Sequence, residues 1–250
     1  MSAAIHLQDR VVVITGASRG IGQAIAEAAA QAGAAVVLAA RKAEPLQAAA
    51  EAINAAGGKA LAVACHTGHA DEVAALFEQA VTTFGKVDGL VNNAATNPYF
   101  GPTLGVTDSA FDKIFEVNVK GYLYAIREYA ARAAGGAVVN VASYAGINAA
   151  PLMGPYGMSK AAVISMTRTL AVELAPVQIR VNAVAPGLVE TRFSAALLND
   201  DEIRRRVLGD APIPRPAQPD EVAGAVIYLL SSAASYVNGQ TLVIDGGSTL

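Results

Sequence analysis

Short β-branched runs alternate regularly with alanine-rich stretches along this chain, and this pattern limits the folds it can adopt. The first apolar run is Val11–Thr15 (VVVIT), which is too short for a buried helix and rich in β-branched residues. A helical stretch from Gly20 to about Ala32 follows, and the same order repeats along the chain. Strands that are apolar throughout are typical of a parallel sheet covered on both faces. The alternation therefore predicts an α/β fold with a doubly wound parallel sheet.

The pattern predicts seven strands with helices between them. The predicted strands are Val11–Thr15, Ala35–Ala40, Ala60–Ala64, Val87–Asn92, Ala137–Ala142, Ile179–Val184 and Thr241–Asp245. The predicted helices are Gly20–Ala32, Pro45–Ala55, Asp71–Phe84, Ser109–Ala133, Pro155–Ala175, Arg192–Val207 and Asp220–Ser231. A chain of 250 residues with 53% hydrophobic residues suits one large domain spanning residues 1–250. The one long irregular stretch, Gly187–Pro219, is predicted to be a substrate lid, the alternative being a surface decoration.

Composition excludes several classes of protein. The net charge of -3 gives no basic surface for nucleic acid. The one cysteine, Cys65, excludes an internal disulfide framework and fits a reducing compartment. The segment MSAAIHLQDR has no apolar signal core, and the longest uncharged run, between Arg132 and Lys160, is interrupted by glycine and proline. We therefore expect a cytoplasmic protein with neither a nucleic-acid nor a membrane partner.

A glycine-rich loop joins the first predicted strand to the first helix. Its sequence is TGASRGIG, in which Gly16 allows a tight turn, Gly20 lets the backbone approach a pyrophosphate, and Gly22 lets the helix pack on the sheet. The free N–H groups of the helix N-terminus would face the phosphates. The spacing departs from G-x-G-x-x-G, but the position favours a dinucleotide site over a purely structural turn.

The stretch PYGMSK begins another predicted helix and carries a tyrosine and a lysine. Pro155 suits a first helical turn, and Tyr156 and Lys160, at i and i+4, then lie on one face. A free tyrosine has a pKa of about 10, and a nearby lysine cation favours the phenolate. The pair could exchange protons with a substrate, or it could be only the first turn of a packed helix.

Together these motifs resemble the short-chain dehydrogenase/reductase family. The resemblance rests on TGASRGIG, on NNAA at 92–95, and on Asn118, Ser143, Tyr156 and Lys160, with thirteen residues from Ser143 to Tyr156. It covers essentially the whole chain and implies a single-domain Rossmann fold with a seven-stranded sheet. CHTG, NNAATNP and ELAPVQIRVNAVAPGLVETRFS look nearest to the NADP-dependent carbonyl and retinal reductase branch.

The resemblance implies a role for each catalytic residue. Tyr156 would be the general acid in reduction and the general base in oxidation. Lys160 would also bind the nicotinamide ribose, Ser143 would hydrogen-bond the substrate oxygen, and Asn118 would help hold a water linked to Lys160. The hydride comes from the nicotinamide.

The end of the second strand indicates the cofactor. An NAD enzyme usually has an acidic residue there, whereas this chain has Ala40 followed by Arg41, with Arg19 nearby in the glycine loop. Two guanidinium groups and no carboxylate indicate NADP(H). The implied cofactor-binding residues are Gly16, Ser18, Arg19, Gly20, Ile21, Gly22, Arg41, His66, Thr67, Asn92, Ala94, Tyr156, Lys160, Pro186, Gly187, Leu188 and Thr191. His66 replaces the family's usual aspartate, and the three histidines are not expected to bind a metal.

The substrate pocket is predicted to be apolar, without a cation to hold an acid. Its expected lining is Ala145, Ile147, Met153, Leu188, Phe193, Ala195, Ala196, Leu197 and Leu198. Together with the activity that the resemblance implies, this lining predicts an NADPH-dependent reductase of small neutral ketones or aldehydes, reversible toward the alcohol. The alternatives are a 3-oxoacyl-thioester (acyl-carrier-protein) reductase, docking through Lys113, Arg127 and Arg132, and an inactive NADP-binding sensor. The resemblance also implies a homotetramer.

Overall fold

A computed structural model describes residues 5–194 and 211–250. Its centre is a parallel sheet of seven strands in the order β3-β2-β1-β4-β5-β6-β7. The strands are β1 (Val11–Thr15), β2 (Ala35–Ala40), β3 (Lys59–Ala64), β4 (Gly89–Asn92), β5 (Gly136–Val141), β6 (Ile179–Pro186) and β7 (Thr241–Ile244). The predicted single-domain, doubly wound parallel sheet is confirmed.

Seven α-helices connect and cover the strands in the described residues. They are α1 (Gly20–Gln31), α2 (Ala43–Ala55), α3 (Ala70–Phe84), α4 (Asp108–Phe115), α5 (Gly121–Ala130), α6 (Gly154–Glu173) and α7 (Pro219–Leu230). Short 3₁₀ turns occur at Thr103–Gly105, Tyr144–Gly146, Ala175–Val177 and Ser232–Ala234. The predicted helix Arg192–Val207 lies mostly outside the described residues.

Each face of the sheet has its own hydrophobic core. Along β1, Val12 and Ile14 pack on one face with α1, α2 and α7, while Val11 and Val13 pack on the other with α3, α5 and α6. This alternation follows from the two-residue period of a strand, because both faces are covered by helices. The all-apolar sequence of the strands is thus explained by burial on both sides.

The predicted long helix Ser109–Ala133 is interrupted, and this corrects the sequence-based prediction. A π-helical segment, Glu116–Lys120, separates α4 from α5, and α5 ends at Ala130. The segment contains Asn118, whose amide accepts a hydrogen bond from Thr96 N (2.8 Å) and donates to Thr96 O (3.1 Å) and Ser159 Oγ (3.0 Å). A π-turn accommodates one extra residue, which here accompanies these contacts to two other parts of the chain.

The strand order places a crevice at the carboxyl ends of the central strands. The chain runs outward from β1 to β3 and then returns to β4, which pairs with β1 on its other side. Loops leaving β1 and β4 therefore diverge at this point, which is where doubly wound sheets bind ligands. Within the ranges described, no helix is long and apolar enough to cross a membrane.

Candidate active site

The glycine loop after β1 forms the floor of the crevice. Gly16 has a φ of +67°, and a side chain at Gly22 would place a Cβ 2.3 Å from the carbonyl oxygen of Gly16. Only glycine fits either position, because one backbone is left-handed and the other touches its neighbour. The loop therefore turns sharply and brings the first turn of α1 to the crevice, as the sequence predicts.

Asn93, which the sequence analysis did not select, supports the glycine loop. Its Nδ2 donates to Thr15 O (2.9 Å) and Gly16 O (3.1 Å). The neighbouring Asn92, predicted to bind the cofactor, does not reach the crevice. It is buried and donates to Asn140 Oδ1 at 3.0 Å within the sheet. Adjacent residues of a strand point to opposite sides, so only one of the two asparagines can face the glycine loop.

The end of β2 carries cations and, among the described residues, no carboxylate. Ala40 ends the strand and lines the crevice, and the exposed Arg41, Lys42 and Arg19 lie on the same lining. An acidic residue at Ala40 would have been placed to accept a ribose hydroxyl. The exposed guanidinium groups of Arg19 and Arg41 instead suit a phosphate, which they can contact with two N–H groups each.

His66 lines the crevice next to a lysine. Its Nδ1 lies 3.1 Å from the donating Gly68 N–H, and its Nε2 lies 3.0 Å from Lys113 Nζ. Burial, reinforced by the Lys113 charge, lowers the pKa of His66, so the ring is neutral at physiological pH. A neutral imidazole beside the adenosine end of the crevice fits the predicted edge contact.

His66, His69 and Glu116 come together in a way that the sequence did not reveal. The two imidazole rings stack with centroids 4.2 Å apart, and the candidate ligand atoms of the three residues lie within 4.8 Å of one another. Lys113 Nζ, however, lies 3.0 Å from both His66 Nε2 and Glu116 Oε1. A lysine ammonium thus already supplies a positive charge to this cluster, and the expected lack of a metal remains a prediction.

Ser143 and Tyr156 meet at the opposite end of the crevice. Ser143 follows β5, and its Oγ accepts a hydrogen bond from Ala145 N (3.2 Å), which leaves its own proton free to donate. Tyr156 lies in the first turn of α6, where Pro155 also lies, and its side chain is buried. Burial raises the pKa of Tyr156 to about 12, and the nearby Ser143 hydroxyl acts in the opposite direction.

Lys160 lies one turn further along α6, fully buried beneath Tyr156. Its Nζ donates to the carbonyl oxygen of Val141 at 2.6 Å and lies 5.7 Å from the centre of the Tyr156 ring. Burial lowers the pKa of Lys160 to about 7. Burial opposes the charged form of both groups, and the expectation that Lys160 lowers the pKa of Tyr156 remains a prediction.

Asn118, like Asn92, does not line the crevice, although it lies close behind it. Its contacts with Thr96 and Ser159 connect the loop after β4 to α6. Ser159 precedes Lys160, and Thr96 itself lines the crevice. Asn118 therefore connects two segments that border the site, the loop after β4 and helix α6.

The segment after β6 covers the crevice from the other side. Leu188 O accepts from Ala217 N (2.9 Å), and Glu190 N donates to Ala217 O (2.8 Å), so the two ends of the predicted lid are joined at its base. A Cβ on Gly20 would lie 3.2 Å from Thr191 Cγ2, which places Thr191 directly across from the glycine loop. The predicted lid residues Ala195, Ala196, Leu197 and Leu198 lie outside the described residues.

The substrate end of the crevice differs in part from the prediction. Met153, Leu188 and Phe193 line it as predicted, and Phe193 packs against Tyr156 with ring centroids 5.7 Å apart. Ala145 is buried and Ile147 is exposed, and neither lines the crevice because the 3₁₀ turn redirects the chain. Tyr144 and the exposed Arg192 line it instead. Neither residue was predicted from the sequence, and Arg192 places a cation at the mouth of the crevice.

The glycine turn, the end of β2, His66, Ser143, Tyr156 and Lys160 line one continuous cleft of about 510 Å³. The predicted residues on its lining are Gly16, Ser18, Arg19, Gly20, Ile21, Gly22, Arg41, His66, Thr67, Ala94, Ser143, Tyr156, Lys160, Pro186, Gly187, Leu188 and Thr191. A glycine turn with no room for side chains stands at one end, and Ser143 and Tyr156 stand at the other. These residues fit an extended dinucleotide, whose pyrophosphate the glycine turn would hold.

Comparison with known proteins agrees with this geometry. A family model described as enoyl-(acyl carrier protein) reductase matches residues 16–249. Dehydrogenase/reductase SDR family member 4 of Oryctolagus cuniculus is 40% identical over 245 residues, covering 97% of this chain and 94% of the rabbit protein.

Two solved structures share the fold and differ in cofactor. One is a 7α-hydroxysteroid dehydrogenase complexed with NADH and 7-oxo glycochenodeoxycholic acid, with a TM-score of 0.93, 34% identity, and coverage of 97% of this chain and 95% of that chain. The other is a candidate 2-deoxy-D-gluconate 3-dehydrogenase from Agrobacterium tumefaciens with bound NADP, with a TM-score of 0.90, 33% identity and 98% coverage of both chains. With its fold, its cleft and these relatives, the chain belongs to the short-chain dehydrogenase/reductase family and is an oxidoreductase acting on CH–OH or C=O groups.

Proposed function

We propose that this enzyme uses NADP(H) to interconvert a neutral ketone or aldehyde and the corresponding alcohol. The observation that carries the proposal is the convergence of Ser143, Tyr156 and Lys160 at one end of a cleft whose other end is a glycine turn. The nicotinamide supplies or takes the hydride when bound. The chain itself supplies the positions of the reactants and a proton.

The proton-transfer residues are Tyr156 and Ser143. In reduction, Tyr156 Oη donates its proton to the carbonyl oxygen, and the free Ser143 proton holds that oxygen in place. In oxidation, Tyr156 Oη takes the proton of the alcohol. A tyrosine whose pKa is about 12 remains a phenol at neutral pH, which favours reduction. Oxidation needs the phenolate, so its rate should rise with pH.

The preference for NADP(H) is supported by the cations at the end of β2. Arg19 and Arg41 are exposed on the cleft lining, and Ala40 offers no carboxylate. We expect a higher kcat/KM with NADPH than with NADH. Ala40→Asp combined with Arg41→Ala should reverse this preference, because aspartate accepts a ribose hydroxyl and repels phosphate.

The test is a direct comparison of the two cofactors at a fixed carbonyl substrate. In the single variant Arg41→Ala, kcat/KM should fall with NADPH and stay nearly unchanged with NADH, so NADH serves as the internal control. Equal kcat/KM for both cofactors in the unmutated enzyme would contradict the proposal.

The substrate class follows from the lining near Tyr156. Met153, Leu188, Phe193 and Tyr144 present mostly apolar surface, whose burial against a substrate is favourable by about 25 cal/mol per Å². Arg192 is the exposed cation at the mouth, so an acidic group could be tolerated there but not beside the reacting carbonyl. We expect aryl and alkyl ketones or aldehydes to give higher kcat/KM than small keto acids, and the reverse order would contradict this reading.

The 3-oxoacyl-thioester alternative is kept because the matching family model is described as an enoyl-(acyl carrier protein) reductase, a description that shares the carrier-bound acyl group but names a different reaction. Two of its three predicted docking cations are, however, engaged within the chain: Lys113 pairs with Glu116 and Arg132 pairs with Glu128. An acyl thioester that outcompetes simple ketones would promote the alternative. A protein that binds NADPH but consumes none with any carbonyl compound would instead fit the inactive sensor.

A homotetramer and a cytoplasmic location complete the proposal. The outer surfaces of α5 and α6 carry exposed apolar side chains, among them Leu123 and Val172. The edge strand β7 and the end of the chain expose Leu242, Val243 and Leu250. Two separate apolar surfaces suit the two different dyads of a D₂ tetramer.

A further inference from the structure

A second buried tyrosine, Tyr122 of α5, contacts the catalytic lysine. Lys160 Nζ donates to Tyr122 Oη at 3.2 Å and lies 5.1 Å from the centre of the Tyr122 ring. Tyr122 is only 1% exposed and does not line the cleft. It cannot touch the substrate, and the proton transfer proposed above does not use it.

The direction of each hydrogen bond around Tyr122 follows from counting protons. Its phenol has one proton, which it donates to the carbonyl oxygen of Val141 at 3.0 Å. Only its lone pairs remain to face Lys160. Lys160 Nζ donates to that same Val141 oxygen at 2.6 Å, so the three groups form a closed triangle at the end of β5.

This triangle specifies both the place and the charge of the lysine. An ammonium has three N–H groups, of which two are used by Val141 and Tyr122, so one is left. A neutral amine has two N–H groups and would leave only a lone pair. Because both partners accept, the triangle favours the ammonium and reserves one donor for the cleft.

We propose that Tyr122 is a positioning residue that holds Lys160 as an ammonium on the last residue of β5, with one N–H available to the cofactor ribose. Val141 lies two residues before Ser143, so the same strand end locates both Lys160 and Ser143. The inference rests on the role proposed for Lys160 in binding and catalysis.

The electrostatic surroundings of Lys160 make this contact matter. Among the residues that the structure describes, the titratable groups that pack around it are Tyr122 from α5 and Tyr156 from α6, with Tyr144 adjacent to Tyr156. Burial raises the pKa of Tyr122 well above its usual value, so it stays a neutral hydroxyl. Since burial alone lowers the pKa of Lys160, each accepted hydrogen bond helps to retain its proton.

The test compares Tyr122→Phe with Tyr129→Phe. Tyr129 is also on α5, is fully buried, and donates its hydroxyl to a backbone carbonyl, that of Gly135, at 3.1 Å. Both variants keep the ring and lose one buried hydroxyl, but only one of those hydroxyls touches Lys160. NMR titration of the cofactor-free protein with ¹³C-labelled lysine, with Lys160→Met for assignment, reports the pKa of Lys160 directly.

We expect Tyr122→Phe to lower the pKa of Lys160 by about 0.5–1 unit, because a hydrogen bond to a charged group is lost. Tyr129→Phe should leave it unchanged. As the pH is raised, the NADPH dissociation constant of Tyr122→Phe should then begin to rise at a lower pH than that of the unmutated protein. If Tyr122→Phe fails to fold, Tyr122→Met, with its adaptable side chain, should give the same shift.

An unchanged Lys160 titration in Tyr122→Phe, or an equal shift in Tyr129→Phe, overturns the inference and leaves Tyr122 a packing residue. The proposed function fails separately, if Tyr156→Phe retains turnover. Loss of turnover in Tyr156→Phe with no titration shift in Tyr122→Phe would leave the proposed function intact and reject only the role of Tyr122.

Discussion

At the scale of single residues, burial of Lys160 lowers the free energy of unfolding of the protein. It is 1% exposed, and its hydrogen-bond acceptors among the described residues are the Val141 carbonyl and the Tyr122 hydroxyl, neither of which is a carboxylate. An apolar residue of similar length would avoid the cost of burying a charge. Because Tyr122 also donates to Val141, that carbonyl would keep a partner after the lysine is replaced.

We therefore expect Lys160→Met to raise the free energy of unfolding by roughly 1–4 kcal/mol at neutral pH while abolishing activity. The folded-state pKa of about 7 lies below the unfolded value of 10.5, so between these pH values the unfolded chain binds more protons. The stability of the unmutated protein then rises with pH across that window, and the advantage of Lys160→Met shrinks.

Urea unfolding of the cofactor-free protein at several pH values measures this difference. The exposed Lys59, replaced by Met, is the control and should show no such pH dependence. A stability difference for Lys160→Met that is constant from pH 7 to pH 10.5 would mean that the lysine is not held in the way described here.

The residue scale also shows where sequence reasoning stops. Tyr156, Lys160 and Ser143 were recognisable because their spacing along the chain is characteristic. The choice between Asn92 and Asn93 could not be predicted in this way. Successive residues of a strand face opposite sides, but the sequence does not say which of the two asparagines faces the glycine loop. The partnership of Tyr122 with Lys160 joins residues 38 positions apart, and no local pattern marks it.

At the scale of elements, the glycine loop and α1 act as one rigid unit. Gly22 lies in the first turn of α1, where a Cβ would be 2.3 Å from Gly16 O and 2.4 Å from Asn93 Nδ2. The loop, the helix and the Asn93 side chain are thus in direct contact. Any added atom would push the turn away from the helix N-terminus that is to receive the phosphates.

Gly22→Ala should therefore destabilise the protein by about 1–3 kcal/mol and weaken cofactor binding at least tenfold. Gly224 of α7 is the matched control, since it is helical and a Cβ there would meet nothing within 4 Å. Gly224→Ala should instead stabilise the fold by about 0.5–1 kcal/mol, as alanine does in an exposed helix. Thermal unfolding and fluorescence titration with NADPH would measure both, and a Gly22→Ala protein that binds normally would contradict this account.

The strands and helices could be predicted from the sequence, but the places where they are interrupted could not. Each strand run was recognised because burial on both faces makes it apolar throughout. The π-helical segment Glu116–Lys120 was not, because it accompanies contacts of Asn118 with the distant Thr96 and Ser159. The 3₁₀ turn Tyr144–Gly146 was not predicted either, and it places Tyr144 on the cleft lining in place of Ala145 and Ile147.

At the scale of the whole molecule, two apolar surfaces remain to be covered. Val172 of α6 is 75% exposed, and Leu242 of β7 is 42% exposed on a strand at the edge of the sheet. Edge strands with exposed apolar side chains are usually protected by pairing or by a partner. The proposed tetramer would cover both surfaces, one at each dyad.

We expect the unmutated protein to have a tetrameric mass by light scattering at micromolar concentration. Val172→Glu and Leu242→Glu should each reduce the mass to that of a dimer, because each disrupts one dyad. Leu104→Glu, at a fully exposed leucine in the 3₁₀ turn Thr103–Gly105, should leave the tetramer intact. A monomeric mass for the unmutated protein would contradict the proposed assembly.

Tyr156→Phe removes the proton donor on which the whole proposed catalytic arrangement depends. The ring and its packing against Phe193 are preserved, while the transferable proton is lost. We expect kcat for carbonyl reduction to fall by about 10²–10⁴-fold with the NADPH dissociation constant nearly unchanged. Tyr144→Phe, which removes a hydroxyl from the same lining, should retain most of the turnover. A Tyr156→Phe enzyme with near-normal kcat would contradict the account.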